Sequence, residues 1–167
     1  MINNSFDIKF DENRKMDIPF QIGHYNVNLV IIEQNNSVVL EAVNQENQST
    51  VAMKCVPIGY YQNYNEEVEI LRSINHPNII HLIDFFEFPQ QNPRFVTFVT
   101  PRAHCDLFES LFQSKFFSER KVRRIMDELF HAIDYLHSIN IWHRNIKPED
   151  ILLMDEERET VAVAGFR

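Results

Sequence analysis

The hydrophobic residues of this chain change their spacing along its length, and this change restricts the folds that it can adopt. Over Phe20–Val56, apolar and β-branched residues form short clusters separated by the polar stretches Glu33–Ser37 and Asn44–Thr50. That pattern is typical of strands joined by hairpin turns. Over Ser118–Ser138, apolar residues recur every three or four positions instead, which is the spacing of an amphipathic helix. Strands early and helices late predict an α+β protein in two unequal parts.

Shorter segments predict the elements between and after these two patterns. Asn65 is the expected N-cap of a helix that ends near Asn75, and the boundary between the two parts is expected near Pro101–Ala103. The remaining predictions are a short helix and four strands, which are the helix Asp106–Gln113 and the strands Ile79–Phe88, Arg94–Thr100, Ile151–Met154 and Thr160–Ala164.

Composition excludes several classes of function. The net charge of −8 argues against binding of nucleic acid or of an anionic membrane surface. No apolar run reaches the roughly 18 residues of a membrane span, and the polar first residues are not a secretory signal. Cys55 and Cys105 lack metal-site spacing, so we expect free buried thiols in a reducing compartment, the cytoplasm.

Residues 143–150 read His-Arg-Asn-Ile-Lys-Pro-Glu-Asp. This run resembles the catalytic loop of protein kinases, whose pattern is H-R-D-x-K-P-E-N. Three further runs resemble the same family: the strand Val51–Lys54 (V-A-I-K in the family), His76–Leu82, and Tyr135–Arg144. The resemblance covers about residues 20 to 167 and is nearest to Ser/Thr kinases of the calmodulin-dependent-like group.

This resemblance implies a protein kinase-like fold. Residues 1–18 would be a polar lead-in, residues 19–100 a β-rich N-lobe, and residues 101–167 the first part of a helical C-lobe. The sequence stops at the position equivalent to the family's Asp-Phe-Gly motif, so we expect one incomplete, truncated kinase-like domain.

Several site residues of the family have counterparts here. Lys54 stands where a Lys neutralises nucleotide phosphates, and Glu67 stands where its partner Glu lies. Asp106 falls at the ribose contact, and Lys147 is the Lys of the catalytic loop. The resemblance also implies a set of apolar residues around the adenine, which are Val39, Ala52, Val99 and Leu152.

Other positions depart from the family. Asn145 replaces the Asp that accepts the substrate proton, and an amide cannot be a general base near neutral pH. Gly165 replaces the main magnesium-binding Asp, so Mg²⁺ binding is in doubt. Asp150 replaces an Asn and is the remaining candidate metal ligand. The family also has a glycine-rich loop that covers the nucleotide phosphates. Its three glycines correspond to Ile32, Gln34 and Ser37 here, and Arg167 replaces the glycine of the family's Asp-Phe-Gly motif.

Three hypotheses follow from these substitutions. The first is a catalytically impaired pseudokinase that acts as a binding or scaffold module for protein partners, with ATP binding left open. The second is an active ATP-dependent Ser/Thr kinase that uses Asp150 as its metal ligand. The third is a truncated kinase copy without function. The long helix after Ser118 carries more apolar surface than this chain is expected to cover, so association through that face is expected.

Overall fold

The computed structural model describes residues 18–34, 37–61, 63–90, 94–114, 116–157 and 160–166, so the expected lead-in lies outside them apart from Ile18. This described part contains nine strands and three α-helices. In chain order they are β1 (Phe20–Ile22), β2 (Tyr25–Gln34), β3 (Ser37–Asn44), β4 (Thr50–Pro57), α1 (Tyr64–Ser73), β5 (Asp84–Phe88), β6 (Phe95–Pro101), β7 (Cys105–Asp106), α2 (Leu107–Gln113), α3 (Glu119–Ser138), β8 (Ile151–Leu153) and β9 (Val161–Val163).

The chain divides into two compact units. Unit 1 contains the described residues up to Tyr64 together with Leu82–Arg102, and unit 2 contains Asn65–His81 together with the residues from Ala103 onwards. The chain passes from unit 1 to unit 2 between Arg102 and Ala103. The division differs from the expected one at residues 65–81, which group with unit 2. One physical reason is that the Ile80 N–H donates to the Val163 carbonyl.

Unit 1 is an antiparallel sheet in the order β1-β2-β3-β4-β6-β5. Buried and half-buried residues alternate along β3 because successive side chains of a strand point to opposite faces. The buried face forms a core that includes Leu40, Met53 and Val99. On this face the Cys55 thiol and the Thr97 hydroxyl are 3.2 Å apart in a hydrogen bond.

The second face of this sheet carries Lys54 and its neighbours on β3, β4 and β6. Paired residues share a face, and Lys54 is paired with Val39 of β3 and with Phe98 of β6. Ala52 is paired with Thr100 of β6. We refer below to this surface, defined by Val39, Ala52, Lys54, Phe98 and Thr100, as the lysine face.

The three predicted helices are present, but α1 begins at Tyr64, so Asn65 lies within the helix and is not its N-cap. Ser118 caps α3 by accepting a hydrogen bond from the Lys121 N–H at 3.3 Å. The buried residues of α3 recur at intervals of four, three and four positions, and they are Ile125, Leu129, Ala132 and Leu136. Asp106 caps α2 by accepting from the Glu109 N–H at 2.7 Å.

The segment His76–Ile80 forms turns and one bridge instead of the start of a strand. Ile79 makes an isolated parallel bridge with Val163, and the next regular strand, β5, begins only at Asp84. The Asn78 amide donates to Glu128 Oε2 at 2.9 Å, and the same oxygen accepts from the Val161 N–H at 2.7 Å. These hydrogen bonds hold the segment against α3 and β9 within unit 2.

A second, smaller sheet in unit 2 has the order β7-β8-β9. The strands β8 and β9 pair in register from Ile151 with Val163 to Leu153 with Val161. This hairpin brings residues 164–166, which follow β9, beside residue 150, which precedes β8. Among the described residues, no helix has the length and apolar character needed to cross a membrane.

Candidate functional site

The loop of residues 141–150 in unit 2 is held by a buried histidine. His143 is 4% exposed, and its Nε2 donates to the Ala164 carbonyl oxygen at 2.6 Å. Its ring centroid lies 5.1 Å from that of Phe166. The next residue, Arg144, has a φ of 64°, a left-handed conformation that is uncommon for a residue with a side chain. The loop therefore has a specific conformation fixed at His143, two residues before Asn145.

Asn145 is exposed on this loop, and Lys147 is half-buried two residues later. A hydroxyl group of a substrate could therefore reach the Asn145 side chain. The amide nevertheless has no site that takes up a proton near neutral pH, because its oxygen is only a hydrogen-bond acceptor and its nitrogen only a donor. The loop thus offers a polar contact at this position and no general base.

Asp150 and Gly165 lie against each other. Gly165 has a φ of 80°, in the left-handed region that favours glycine. A Cβ atom added to Gly165 would lie 2.6 Å from Asp150 Cγ and 3.2 Å from Asp150 Oδ2, and it would overlap Oδ1. The Asp150 carboxylate thus fills the space that a side chain at position 165 would need.

The Asp150 carboxylate beside Gly165 can supply only some of the ligands of a metal ion. No group of three or more His, Cys, Asp or Glu side chains that could hold a metal occurs in the described part of the chain. Mg²⁺, however, keeps several waters and binds through one or two carboxylates together with substrate phosphates. Asp150 fits that kind of site, in which the nucleotide brings most of the ligands, and the chain does not fit a self-sufficient metal centre.

On the lysine face of unit 1, two aromatic rings lie near the Lys54 ammonium group. Its Nζ lies 5.6 Å from the ring centroid of Tyr61 and 5.8 Å from that of Phe98. Both distances are within the reach of a cation–π interaction, about 6 Å. The ring of Phe98 packs in turn on the ring of Phe85, and the two ring centroids are 5.3 Å apart. The sequence analysis did not predict that Tyr61 and Phe98 lie near Lys54.

Val39 and Ala52 lie on the lysine face as half-buried residues, as their predicted role requires. Val99 does not, because it is paired with Met53 and packs in the core on the opposite face. The β6 residue on the lysine face is Thr100, paired with Ala52. Every residue of Phe95–Val99 is buried, so the sequence of β6 alone gives no alternation that reveals its two faces.

The expected glycine-rich loop falls in the β2–β3 hairpin. Ile32 pairs with Val39, and Gln34 pairs with Ser37. The two residues between the strands, and Arg167 at the end of the chain, lie outside the described residues. Ile32 and Ser37 take part in the backbone pairing of β2 with β3. Both carry a side chain where the resemblance to protein kinases implies a glycine.

The other predicted nucleotide contacts lie in unit 2. Asp106 and Leu152 are direct partners in the β7–β8 pairing, and both are half-buried. One carboxylate oxygen of Asp106 is already used in capping α2. Glu67 lies on α1 and is 6% exposed. The pairing of Glu67 with Lys54 stays a prediction.

Comparison with known proteins identifies the family. The model of the protein kinase domain matches residues 30–166. Myosin light chain kinase A of Dictyostelium discoideum is 33% identical over 136 residues, which are 78% of this chain and 45% of that protein. Serine/threonine-protein kinase 36 of Mus musculus is 35% identical over 134 residues, which are 77% of this chain and 10% of that protein.

A solved structure shares the fold. It is the crystal structure of Rad53 1–466 in complex with AMP-PNP, which matches with a TM-score of 0.74 at 24% identity and covers 86% of this chain and 38% of that one. The chain thus spans less than half the length of the first of these relatives and of this structure. By its family match and its fold, the chain belongs to the protein kinase family.

Proposed function

We propose that this chain is a pseudokinase-type module, which binds a nucleotide and a protein partner and does not transfer phosphate at a useful rate. The observation that carries the proposal is the arrangement at Gly165. A backbone with a φ of 80° and the Asp150 carboxylate against it leave no room for a side chain at that position. The loss of the metal-binding Asp is therefore built into the surrounding structure.

The loss of the general base supports the same conclusion. Proton transfer by a positioned base contributes about 10²–10⁴-fold to rate, and Asn145 cannot supply it. Without a carboxylate at position 165, the charge that develops on the transferred phosphate is also less well neutralised. The two losses affect separate terms of the same reaction, so their effects on rate multiply.

Nucleotide binding is supported by what the lysine face keeps. Lys54 supplies a cation for phosphates, and Val39 and Ala52 present apolar surface on the same side of the sheet. The Rad53 structure was solved with AMP-PNP bound, and we extend nucleotide binding to this chain on the strength of the shared fold and the retained lysine.

Binding of a protein partner is supported by exposed apolar side chains in unit 2. On α3, Val122, Met126 and Phe130 follow one another at intervals of four residues, and each is exposed. Phe112 of α2 is 87% exposed. Exposed apolar side chains of this kind favour association with another protein. We place the protein in the cytoplasm, where the thiols of Cys55 and Cys105, which form no disulfide, would stay reduced.

A phosphotransfer assay with radiolabelled ATP and a generic Ser/Thr substrate tests the catalytic part of this proposal. We expect no incorporation above that of a Lys54→Ala variant, because both chains lack the base. Incorporation by the unaltered chain that the Lys54→Ala variant loses would overturn the proposal and favour the active kinase that uses Asp150.

A further inference from the structure

One face of α3 is apolar and open to solvent. Val122, Met126 and Phe130 are exposed, and Ile133 is half-buried. Their spacing of four, four and three residues places all four side chains on the same face of the helix, and we call this surface the α3 stripe. The contact of α3 with the rest of unit 2 is made by its buried residues, so the α3 stripe is available to a partner.

Charged side chains of opposite sign lie at the two ends of the α3 stripe. Arg123 follows Val122 at the N-terminal end, Asp134 follows Ile133 at the C-terminal end, and both are exposed. Arg123 Nη2 lies 3.1 Å from Glu119 Oε1, but both side chains of that pair are at least 80% exposed, and such surface pairs contribute little stability. A guanidinium has five N–H donors, so Arg123 can bind a second carboxylate as well.

An open groove beside Phe130 indicates what the partner must supply. The groove has a volume of about 400 Å³, and it is lined by Asp127, Phe130, His131, Ile133, Asp134 and His137. The two carboxylates make it negative while the histidines are neutral, and the two apolar residues form part of its wall. An occupant of this groove therefore combines a cation with an apolar side chain, and α3 itself presents that combination at Val122 and Arg123.

We propose that the partner of the α3 stripe is the α3 stripe of a second copy of this chain, in an antiparallel pair with a twofold axis. When the axis passes midway between Met126 and Phe130, Met126 of each copy packs on Phe130 of the other. At a rise of about 1.5 Å per residue, Arg123 of one copy then lies within about 1.5 Å of the level of Asp134 of the other. Each contact forms twice, because the two copies use the same surface. The inference rests on the partner binding proposed above and names the partner.

The charges distinguish this antiparallel pair from a parallel one. In a parallel pair, Arg123 would face Arg123 and Asp134 would face Asp134, so like charges would repel each other. In the antiparallel pair Glu119 falls opposite His137, which can donate a hydrogen bond to it, and the positive end of each helix lies beside the negative end of the other. One helix pair buries less surface than a standard interface of about 1,600 Å², so we expect a weak dimer that depends on concentration.

Sedimentation equilibrium of the full chain tests the pairing at concentrations up to about 0.5 mM, at which a dimer with a dissociation constant of about 0.1 mM is mostly formed. We expect Arg123→Asp and Asp134→Arg each to weaken the dimer by about tenfold or more, because each places like charges opposite one another. The double variant exchanges the two charges and should restore the dimer. Arg94→Asp reverses an exposed charge of unit 1, and as the matched control it should leave the dimer unchanged.

Phe130→Ala tests the apolar part of the pair. It should also weaken the dimer by about tenfold or more, because the ring is lost from both symmetric contacts. Tyr60→Ala removes an exposed ring of unit 1 and should have no such effect, with far-ultraviolet circular dichroism to confirm that each variant is folded.

Two results would overturn the inference. A dimer that the single charge reversals do not weaken, or that the double variant does not restore, would overturn the antiparallel pair. A chain that stays monomeric at every concentration would overturn self-association itself. That second result would leave the proposed binding of a different protein intact, because that role needs no second copy.

Discussion

The contact between Asp150 and Gly165 predicts a large loss of stability when Gly165 is replaced by Ala. The new Cβ would lie 2.6 Å from Asp150 Cγ, whereas two carbon atoms in ordinary contact are about 3.5–4.0 Å apart, so the structure would have to open by about 1 Å. Overpacking of this kind costs about 1–3 kcal/mol. The left-handed φ of 80° adds about 1–2 kcal/mol for a residue with a side chain.

The sum is a loss of about 2–5 kcal/mol in the free energy of unfolding, measured by urea denaturation followed by circular dichroism. Most of the overpacking part should vanish in an Asp150→Ala background, because the three heavy atoms nearest to the new Cβ all belong to the Asp150 carboxylate. We therefore expect a coupling free energy of about 1–3 kcal/mol in the double-mutant cycle.

Gly59→Ala is the matched control. A Cβ at Gly59 would have no heavy atom within 4 Å, so the substitution should change the stability by no more than about 0.5–1 kcal/mol, and in the stabilising direction. The reasoning is refuted if Gly165→Ala costs no more than Gly59→Ala, or if its cost is the same with and without the Asp150 side chain.

Three further predictions concern other groups of the two units. His143→Phe should lower the free energy of unfolding by about 1–3 kcal/mol, because the half-buried Ala164 carbonyl would lose its donor. A variant as stable as the unaltered chain in urea would contradict this. Burial, and then the charge of His131, lower the pKa of His76 below its ordinary value of 6.5. The contribution of His76 to stability is therefore complete above about pH 6.5 and is lost as the pH falls through the lowered pKa, when protonation also removes the Nδ1 acceptor of the Asn78 N–H. The free energy of unfolding of His76→Gln, measured in urea, should therefore depend less on pH over this range. An equal pH dependence in the two chains would contradict this prediction. Burial raises the pKa of the Cys55 thiol to about 12. In a Cys105→Ser chain, a thiol reagent at mildly alkaline pH should therefore react with Cys55 only as fast as the chain unfolds. Rapid labelling of the folded chain would contradict this prediction, because it would show that the thiol is accessible.

The parts of the fold that were predicted from the sequence are those that local chemistry determines. The α3 helix follows from the spacing of Ile125, Leu129 and Leu136 and from the cap at Ser118. The hairpins of unit 1 follow from polar stretches between β-prone clusters. The strand predicted from Ile79 was wrong over its first half, because the Asn78 side chain and the Ile80 N–H bond to β9 and Glu128 instead.

The candidate site was predicted in part, for a similar reason. A motif gives the identity of a residue such as Asn145 or Asp150 directly. It does not give the face of a strand on which a residue lies, so the sequence did not predict that Val99 packs in the core opposite the lysine face. Nor does it give the contact between Asp150 and Gly165, because that contact depends on the register of β8 against β9 and on the backbone conformation at position 165.

Thermal unfolding of the chain with and without millimolar ATP tests the central claim, a kinase fold that keeps nucleotide binding after it has lost the groups for catalysis. A ligand at a hundred times its dissociation constant adds about 2.7 kcal/mol of stability. We predict a rise in the midpoint temperature with ATP that is absent in Lys54→Ala. A cooperative transition that ATP does not move, or one that it moves equally in Lys54→Ala, would contradict the claim.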